Sequence, residues 1–214
     1  MKTIRTKGRG AKQAEEVLIA LERRGGNALD AVLPTVRRIV AAVRARGDRA
    51  LFRYAAQFDG LTDASTVRIS PEEMAAAWDA LSPAMRVALS TAADQIRTFA
   101  VNQLPASWSE SSVDGLTIGQ LVRPLGSVGC YVPSGRHPLP STLLMTAIPA
   151  QVAGVSRIVA VSPKPASETL ATAHMLGITE FYRLGGAHAV AALAYGTTTL
   201  PRVDKIVEIG RAHV

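Results

Sequence analysis

The first half of the chain carries apolar residues at the three- and four-residue spacing of amphipathic helices. A first helix is predicted over residues 11–24, and Gly25-Gly26 is expected to end it. A second helix is predicted to start near Pro34, because proline is tolerated in a first turn, and to end at Gly47. Asp48 is then the expected N-cap of a third helix.

Shorter signals divide the rest of this helical half. Residues 66–69 read as a short strand, and Ser70 and Ser82, each followed by proline, predict two helix starts. The second of these helices should reach about Gln103. The polar, turn-rich stretch 104–115 is interpreted as a surface connection.

In the second half, short β-branched runs alternate with helical segments of about ten residues. The predicted strands are residues 127–132, 157–162, 180–184 and 203–207, and the predicted helices are residues 141–153, 167–176 and 187–195. Gly154, Gly177 and Gly196 each fall where a helix should end. This alternation predicts an α/β fold, with βαβ units and a parallel sheet following a helical N-terminal segment.

Composition narrows the class of protein. Hydrophobic residues make up 48% of the chain and charged residues 19%, which is typical of a folded globular protein. No apolar run approaches the roughly 18 residues of a membrane span, so no membrane partner is expected. The N-terminus lacks the apolar core of a secretory signal, and its glutamates argue against a transit peptide. We therefore expect a cytoplasmic protein.

Charge and cysteine content exclude further classes. The net charge is +7, but the arginines are scattered along helices without interleaved aromatic residues, so we expect no nucleic-acid partner. The single cysteine, Cys130, excludes an internal disulfide and a multi-cysteine metal site. Its apolar surroundings favour a buried packing role over a nucleophilic one.

Two loops at the predicted carboxyl ends of strands carry the candidate chemistry, because ligands gather at that edge of a parallel sheet. The first loop, residues 131–142, is rich in proline and glycine. Tyr131 at its start can stack on a ligand or form a hydrogen bond with it, and Ser141 or Thr142 lies at a helix N-terminus suited to an anion. A rigid turn with a capping serine explains the same residues equally well.

The second loop, residues 184–196, contains Gly185-Gly186 and places His188 in the first turn of a helix. It matches neither GxGxxG nor a P-loop, and a lone histidine at such a position is more often structural. His137 has no evident partner, and His174 is expected at the surface. Since no HxxxH or HExxH pair occurs, no metal site is predicted. From the residues alone we expect an α/β ligand-binding protein related to nucleotide binding.

Longer stretches bear a more specific resemblance. The segments VRPLGSVGCYVPSGRHPLPSTLLMTAIPAQVAGV, YRLGGAHAVAALAYGT and PRVDKIV resemble successive motifs of the histidinol dehydrogenases in order and spacing. The segment VRARGDRALFRYAAQFDG resembles that family's N-terminal helices, so the likeness covers about residues 30–207. It implies a zinc-dependent homodimer with two Rossmann-like units that lack GxGxxG. The implied reaction is the NAD-dependent oxidation of L-histidinol to L-histidine through L-histidinal, which ends histidine biosynthesis.

The resemblance also assigns residues. Tyr131 matches the tyrosine that contacts NAD, and His188 stands where the family has a glutamine that contacts NAD. A neutral imidazole, like an amide, can both donate and accept a hydrogen bond, so NAD binding is still expected. Ser134 replaces a glycine of the family pattern. The family's catalytic residues and zinc ligands match no position of this chain, so neither a catalytic residue nor a metal ligand is assigned.

The resemblance implies a division into residues 1–127, with helices and part of a first α/β unit, and residues 128–207, the NAD-contacting unit. Residues 208–214 depart from the family pattern, and IGRAHV can be encoded by the bases of a common sequencing adapter. We therefore expect a non-native tail after Val207 on a truncated reading frame. Such a fragment should be inactive alone and should expose apolar surface that the remainder would cover.

Two other functions stay open at this point. One is a related zinc- and NAD-dependent dehydrogenase that acts on another small polar alcohol, since the residues that specify the substrate match no position of this chain. The other is a noncatalytic nucleotide-binding module, which requires residues 208–214 to be a natural C-terminus.

Overall fold

The computed structural model describes residues 6–23, 26–134 and 137–210 of the chain. The helices are α1 (Ala11–Arg23), α2 (Gly26–Arg46), α3 (Asp48–Tyr54), α4 (Pro71–Asp79), α5 (Pro83–Val101), α6 (Pro140–Val152), α7 (Ser167–Met175) and α8 (Gly186–Tyr195). The strands are β1 (Arg68–Ile69), β2 (Trp108–Val113), β3 (Leu116–Gln120), β4 (Ser127–Tyr131), β5 (Arg157–Val161), β6 (Glu180–Tyr182) and β7 (Lys205–Val207). A π-helical turn, Ala55–Asp59, extends α3.

A five-stranded sheet forms the centre of the fold, in the order β1-β6-β5-β4-β7. Strands β4 to β7 run parallel to their neighbours, while the edge strand β1 pairs antiparallel with β6. The predicted α/β class with a parallel sheet is confirmed. The serine N-caps are confirmed as well, because the hydroxyl oxygens of Ser70 and Ser82 accept bonds from Glu73 N–H and Met85 N–H.

Helices cover both faces of the sheet. Successive strand residues point to opposite faces, so Val161 and Tyr182 pack with α2, α3 and α8. Cys130, Ala160 and Phe181 pack on the other face with helices α4 to α7. Burying one large apolar side chain stabilises the folded state by about 1.5–3 kcal/mol. Each of these strand residues therefore helps to hold the helices on the face to which its side chain points.

Two polar contacts set the strand positions. The Arg157 guanidinium donates two hydrogen bonds to the Glu180 carboxylate, each at 2.7 Å, and joins β5 to β6. The Asp204 carboxylate accepts bonds from the Ser127 N–H at 2.8 Å and from the Ser127 hydroxyl at 3.0 Å. This second contact fastens the start of β7 to the start of β4.

Two predictions about the early helices are wrong. Helix α2 begins at Gly26, so Pro34 lies inside it rather than in its first turn. A proline removes one backbone hydrogen bond, which a long helix packed on a sheet tolerates. Asp48 is the first residue of α3, and Gly47 is its N-cap with φ of 52°. The Asp48 carboxylate instead accepts bonds from the Thr199 N–H and hydroxyl. Gly25, expected to end α1, lies outside the described residues.

The interpretation of residues 104–115 as a surface connection is wrong over Trp108–Val113, which form β2. Strands β2 and β3 make an antiparallel hairpin that is separate from the main sheet. Every residue of both strands is exposed, so the polar sequence carries no alternation toward a buried face. Gly115 at the tip has φ of 79°, and the Asp114-Gly115 pair is the local signal of a tight hairpin turn.

The structure describes residues on both sides of the proposed boundary near residue 128. Strand β1 and helices α2 and α3, which precede it, share one sheet and core with the strands that follow. Of the proposed tail, residues 208–210 are described and residues 211–214 lie outside the described residues. The division into units and the origin of the tail stay predictions.

Apolar side chains are exposed on and beside the β2–β3 hairpin. Trp108, Leu116 and Leu121 on or beside the hairpin are each at least half exposed. A groove of about 480 Å³ lies between the base of the hairpin, α6 and β7. Among the described helices, none is both long enough and apolar enough to cross a membrane.

Candidate functional site

The order of the parallel strands creates a switch point. The chain moves outward from β4 to β5 and β6, then returns to place β7 on the other side of β4. The strand order therefore reverses at β4, and in α/β sheets such a reversal places a crevice outside the carboxyl ends of the strands on either side of it. Tyr131 is the last residue of β4, and Glu208 directly follows β7. The crevice is the place where an α/β sheet of this order binds ligands.

Tyr131 joins two loops at this edge of the sheet. Its ring is half-buried against the core on the α8 side of the sheet, and its hydroxyl oxygen accepts a hydrogen bond from the Gly186 N–H at 2.9 Å. Gly186 is the first residue of α8, whose first-turn N–H groups have no partner within the helix. Tyr131 therefore holds the N-terminus of α8 against the end of β4.

The two glycines before α8 allow a close approach that other residues would prevent. A Cβ atom at Gly185 would lie 2.5 Å from the Cβ atom of Pro163, inside contact distance of a rigid ring. Gly186 has φ of 55°, a conformation that costs other residues about 1–2 kcal/mol. The turn after β6 can therefore pack directly on the residues that follow β5, next to the crevice.

His188 lies in the first turn of α8 and is 1% exposed. Its Nε2 atom is 2.8 Å from a carboxylate oxygen of Asp59, and the same oxygen accepts a bond from the Gly185 N–H at 3.1 Å. The rings of Tyr54 and Phe58 lie 6.3 Å and 6.1 Å from the imidazole, measured between centroids. Among the described residues, the Nδ1 atom of this imidazole has no hydrogen-bond partner.

Asp59 was not predicted from the sequence. It ends the π-helical turn Ala55–Asp59 and is 129 residues from His188 along the chain. Insertions of this type in helices are often associated with functional sites. Neither periodicity nor a local motif links the two positions, because only the packing of α3 against α8 brings them together. The structure thus adds a buried carboxylate to the two predicted residues.

The other residues singled out in the sequence lie apart from Tyr131 and His188. His137 and Ser134 line a cavity of about 250 Å³ beyond the ends of β4 and β5. His174 is exposed on α7, as expected. Ser141 is the second residue of α6 and makes no capping bond, so the alternative of a capping serine is wrong. Gly135, counted in the proline-rich loop, lies outside the described residues.

Cys130 is fully buried in β4, and burial raises the pKa of its thiol to about 11. The thiol therefore stays protonated near neutral pH, and the predicted packing role is confirmed. Across residues 6–23, 26–134 and 137–210, no group of three or more histidine, cysteine, aspartate or glutamate side chains is arranged to hold a metal ion.

Comparison with known proteins gives the family. The histidinol dehydrogenase family model matches residues 22–214, most of the chain. The chain belongs to the histidinol dehydrogenase family. The histidinol dehydrogenase of Syntrophotalea carbinolica is 44% identical over 200 residues, which cover 91% of this chain and 46% of that protein. The one from Methanothermobacter thermautotrophicus is 47% identical over 192 residues, 87% of this chain and 45% of that protein.

A solved structure supports the same family. The crystal structure of histidinol dehydrogenase from Elizabethkingia anophelis superposes with a TM-score of 0.77 at 32% sequence identity. The match covers 84% of this chain and 42% of that one. This chain therefore spans about half the length of the histidinol dehydrogenases that it matches. The resemblance drawn from the sequence motifs is confirmed at the level of the family and of the fold.

Proposed function

We propose that this chain supplies the NAD-binding unit of an enzyme that oxidises L-histidinol to L-histidine through L-histidinal. The observation that carries the proposal is the convergence of Tyr131, Gly186 and His188 beside the switch point of the sheet, in a chain of this family. When bound there, NAD accepts the hydride in each of the two oxidations. Tyr131 and His188 are the residues that we assign to NAD.

The local geometry fits a dinucleotide. Gly186 has no side chain to block an approach to the N-terminus of α8, where N–H groups and the helix dipole favour polar or anionic groups. Tyr131 places an aromatic ring at the end of β4, and the buried Nδ1 atom of His188 is a polar atom without a hydrogen-bond partner among the described residues. These are the features by which a Rossmann-like unit without GxGxxG can still hold a cofactor.

Zinc belongs to the proposal through the family. Within the described residues no cluster of metal-binding side chains occurs, so we derive no zinc-dependent step from them. We propose that the remaining part of the enzyme binds zinc and deprotonates the alcohol. The 214-residue chain alone should not oxidise L-histidinol. We further propose a cytoplasmic homodimer as the active form.

The experiment that tests this function begins at the gene. The locus is amplified from source DNA, read past codon 207, and the uninterrupted reading frame is expressed. We expect the purified product to reduce NAD when L-histidinol and zinc are supplied. The chain of 214 residues serves as the matched control and should give no turnover. A product that leaves L-histidinol untouched contradicts the proposal.

A second candidate is a related dehydrogenase for another small polar alcohol. His188 stands where the family resemblance places a glutamine, and this difference lies in the proposed site itself. The same assay therefore includes a panel of small polar alcohols. NAD reduction with one of them, and none with L-histidinol, would favour the second candidate. NAD binding without oxidation of any alcohol would indicate a noncatalytic module.

A further inference from the structure

The Asp59–His188 pair is buried and its hydrogen bonding is directional. The side chains are 6% and 1% exposed, and Nε2 lies 2.8 Å from the carboxylate. A carboxylate offers only acceptor atoms, so the Nε2 atom must carry the proton and donate it. In the neutral imidazole the Nδ1 atom is then the one with the free lone pair. Asp59 thereby selects one of the two tautomers of His188.

The Nδ1 atom is left as a buried acceptor without a partner among the described residues. An unpaired buried polar atom destabilises a fold, so its presence requires an explanation. Gly186 lies beside it, because a Cβ atom at Gly186 would be 3.6 Å from Nδ1. A donor that reaches Nδ1 would therefore lie against the backbone of the first turn of α8, at the edge of the proposed NAD site.

We propose that Asp59 is a positioning residue that fixes His188 as a hydrogen-bond acceptor toward the bound cofactor. The inference rests on the proposed function and deepens it. The group that His188 accepts from is a hydroxyl or amide N–H of the dinucleotide, because a deprotonated phosphate oxygen has no proton to donate. A glutamine at this position would present its carbonyl oxygen in the same role, without needing a carboxylate to choose a tautomer.

Asp59 also explains why the imidazole stays in place. The same carboxylate oxygen accepts the Gly185 N–H at 3.1 Å, so one residue sets both the turn before α8 and the ring within it. Phe58, one residue earlier, stacks on the imidazole at an interplanar angle of 28°. The segment Ala55–Asp59 therefore holds the imidazole of His188 in one orientation.

The first test is the tautomer itself. Long-range proton–nitrogen NMR spectra of the 214-residue chain distinguish a protonated ring nitrogen from an unprotonated one, and His188→Gln assigns the signal. We expect a proton on Nε2 and none on Nδ1 in the unsubstituted chain. Asp59→Ala should give a mixture of tautomers.

Asp48→Ala is the matched control, since the Asp48 carboxylate also accepts a hydrogen bond from a backbone N–H, that of Thr199, and does not contact His188. A proton on Nδ1 in the unsubstituted chain would overturn the proposal even if Asp59→Ala fails to fold.

The second test adds NAD to the same samples. We expect the Nδ1 resonance to move as NAD binds, and Asp59→Ala to weaken binding about tenfold or more, the size of one hydrogen bond to a charged group. In a His188→Gln background the same substitution should change the affinity much less, which a purely structural role of Asp59 would not produce. Equal losses in both backgrounds, or an unmoved Nδ1 resonance on binding, overturn this inference alone. Absence of NAD binding to the unsubstituted chain overturns the NAD-binding function with it.

Discussion

At the scale of single residues, the geometry of the site depends on two glycines, whose lack of a side chain allows close packing and an unusual backbone conformation. The missing side chain at Gly185 lets the turn before α8 lie against Pro163, and the missing side chain at Gly186 permits φ of 55°. Both features place the N–H of Gly186 where it can donate a hydrogen bond to the Tyr131 hydroxyl oxygen. Small backbone constraints of this kind hold the aromatic and imidazole groups in one arrangement.

Replacing Gly185 with alanine should disturb this arrangement. The new Cβ atom would overlap Pro163, and relief requires a backbone shift that costs about 1–3 kcal/mol of folding stability. Gly177→Ala is the control, because its φ of 70° adds strain of about 1 kcal/mol but a Cβ atom there meets nothing within 4 Å. Urea denaturation measures both, and a Gly185→Ala variant as stable as the unsubstituted chain would contradict the packing described.

Cys130 gives a second test at this scale. Burial raises the pKa of its thiol to about 11, so at pH 8 the group is protonated and shielded from solvent. We expect a disulfide reagent to label it only as fast as the chain unfolds, with full labelling in denaturant. Since this is the single cysteine, the absorbance signal reports one site. Rapid labelling of the folded chain would show that β4 is accessible.

The residues that the sequence could predict are those with a local signature. Tyr131 and His188 end a strand or begin a helix next to glycines and prolines, a context that fits a structural turn as well as a ligand site, and their assignment to NAD rests on the family resemblance. Asp59 has no such context, because its partner lies 129 residues away and the contact depends on how α3 packs on α8. Contacts between residues this far apart in the sequence depend on tertiary packing, which the spacing of apolar residues does not reveal.

At the scale of elements, the parallel strands are joined by side chains as well as by their ladder. Arg157 and Glu180 connect β5 to β6, and Asp204 and Ser127 connect β7 to β4. The helices and strands around the parallel sheet were predicted closely because their apolar residues repeat at regular intervals. Strand β2 was not, since all of its residues are exposed and only Asp114-Gly115 signals the turn.

The Arg157–Glu180 pair predicts a pH dependence. The hydrogen bonds from Arg157 hold the pKa of Glu180 below its ordinary value of 4.5. A carboxyl whose pKa is lower in the folded state stabilises the fold above its unfolded pKa, and the contribution is lost as the pH falls through the folded value. Glu180→Gln should therefore lower the free energy of unfolding by about 1 kcal/mol at pH 7, given partial screening by water.

Denaturation curves from pH 7 to pH 3 measure this effect. The difference between the unsubstituted chain and Glu180→Gln should shrink below about pH 4.5 as the carboxyl of Glu180 becomes protonated. Glu168→Gln is a useful control, because that glutamate lies in the first turn of α7 and makes no ion pair among those described. A difference that stays constant across the pH range would contradict the role assigned to the ion pair.

At the scale of the whole molecule, helices and strands from both ends of the chain build one three-layered unit. Helices α2 and α3 come from the first quarter of the sequence, yet they cover the sheet face on which α8 and the Gly185-Gly186 turn lie. Through Asp59, this early segment also reaches the candidate site. The fold class could be predicted from the alternation of strands and helices, whereas this assembly of distant segments could not.

The central claim is that NAD binds beside the switch point of the sheet, against Tyr131 and the N-terminus of α8. The most direct test is a titration of the 15N-labelled 214-residue chain with NAD, followed by the backbone amide signals in proton–nitrogen correlation spectra. We predict saturable shifts at Tyr131, Val132 and residues 185–189, and unchanged signals in the exposed hairpin, residues 108–120. Absence of saturable shifts, or shifts confined to the hairpin, would contradict the account.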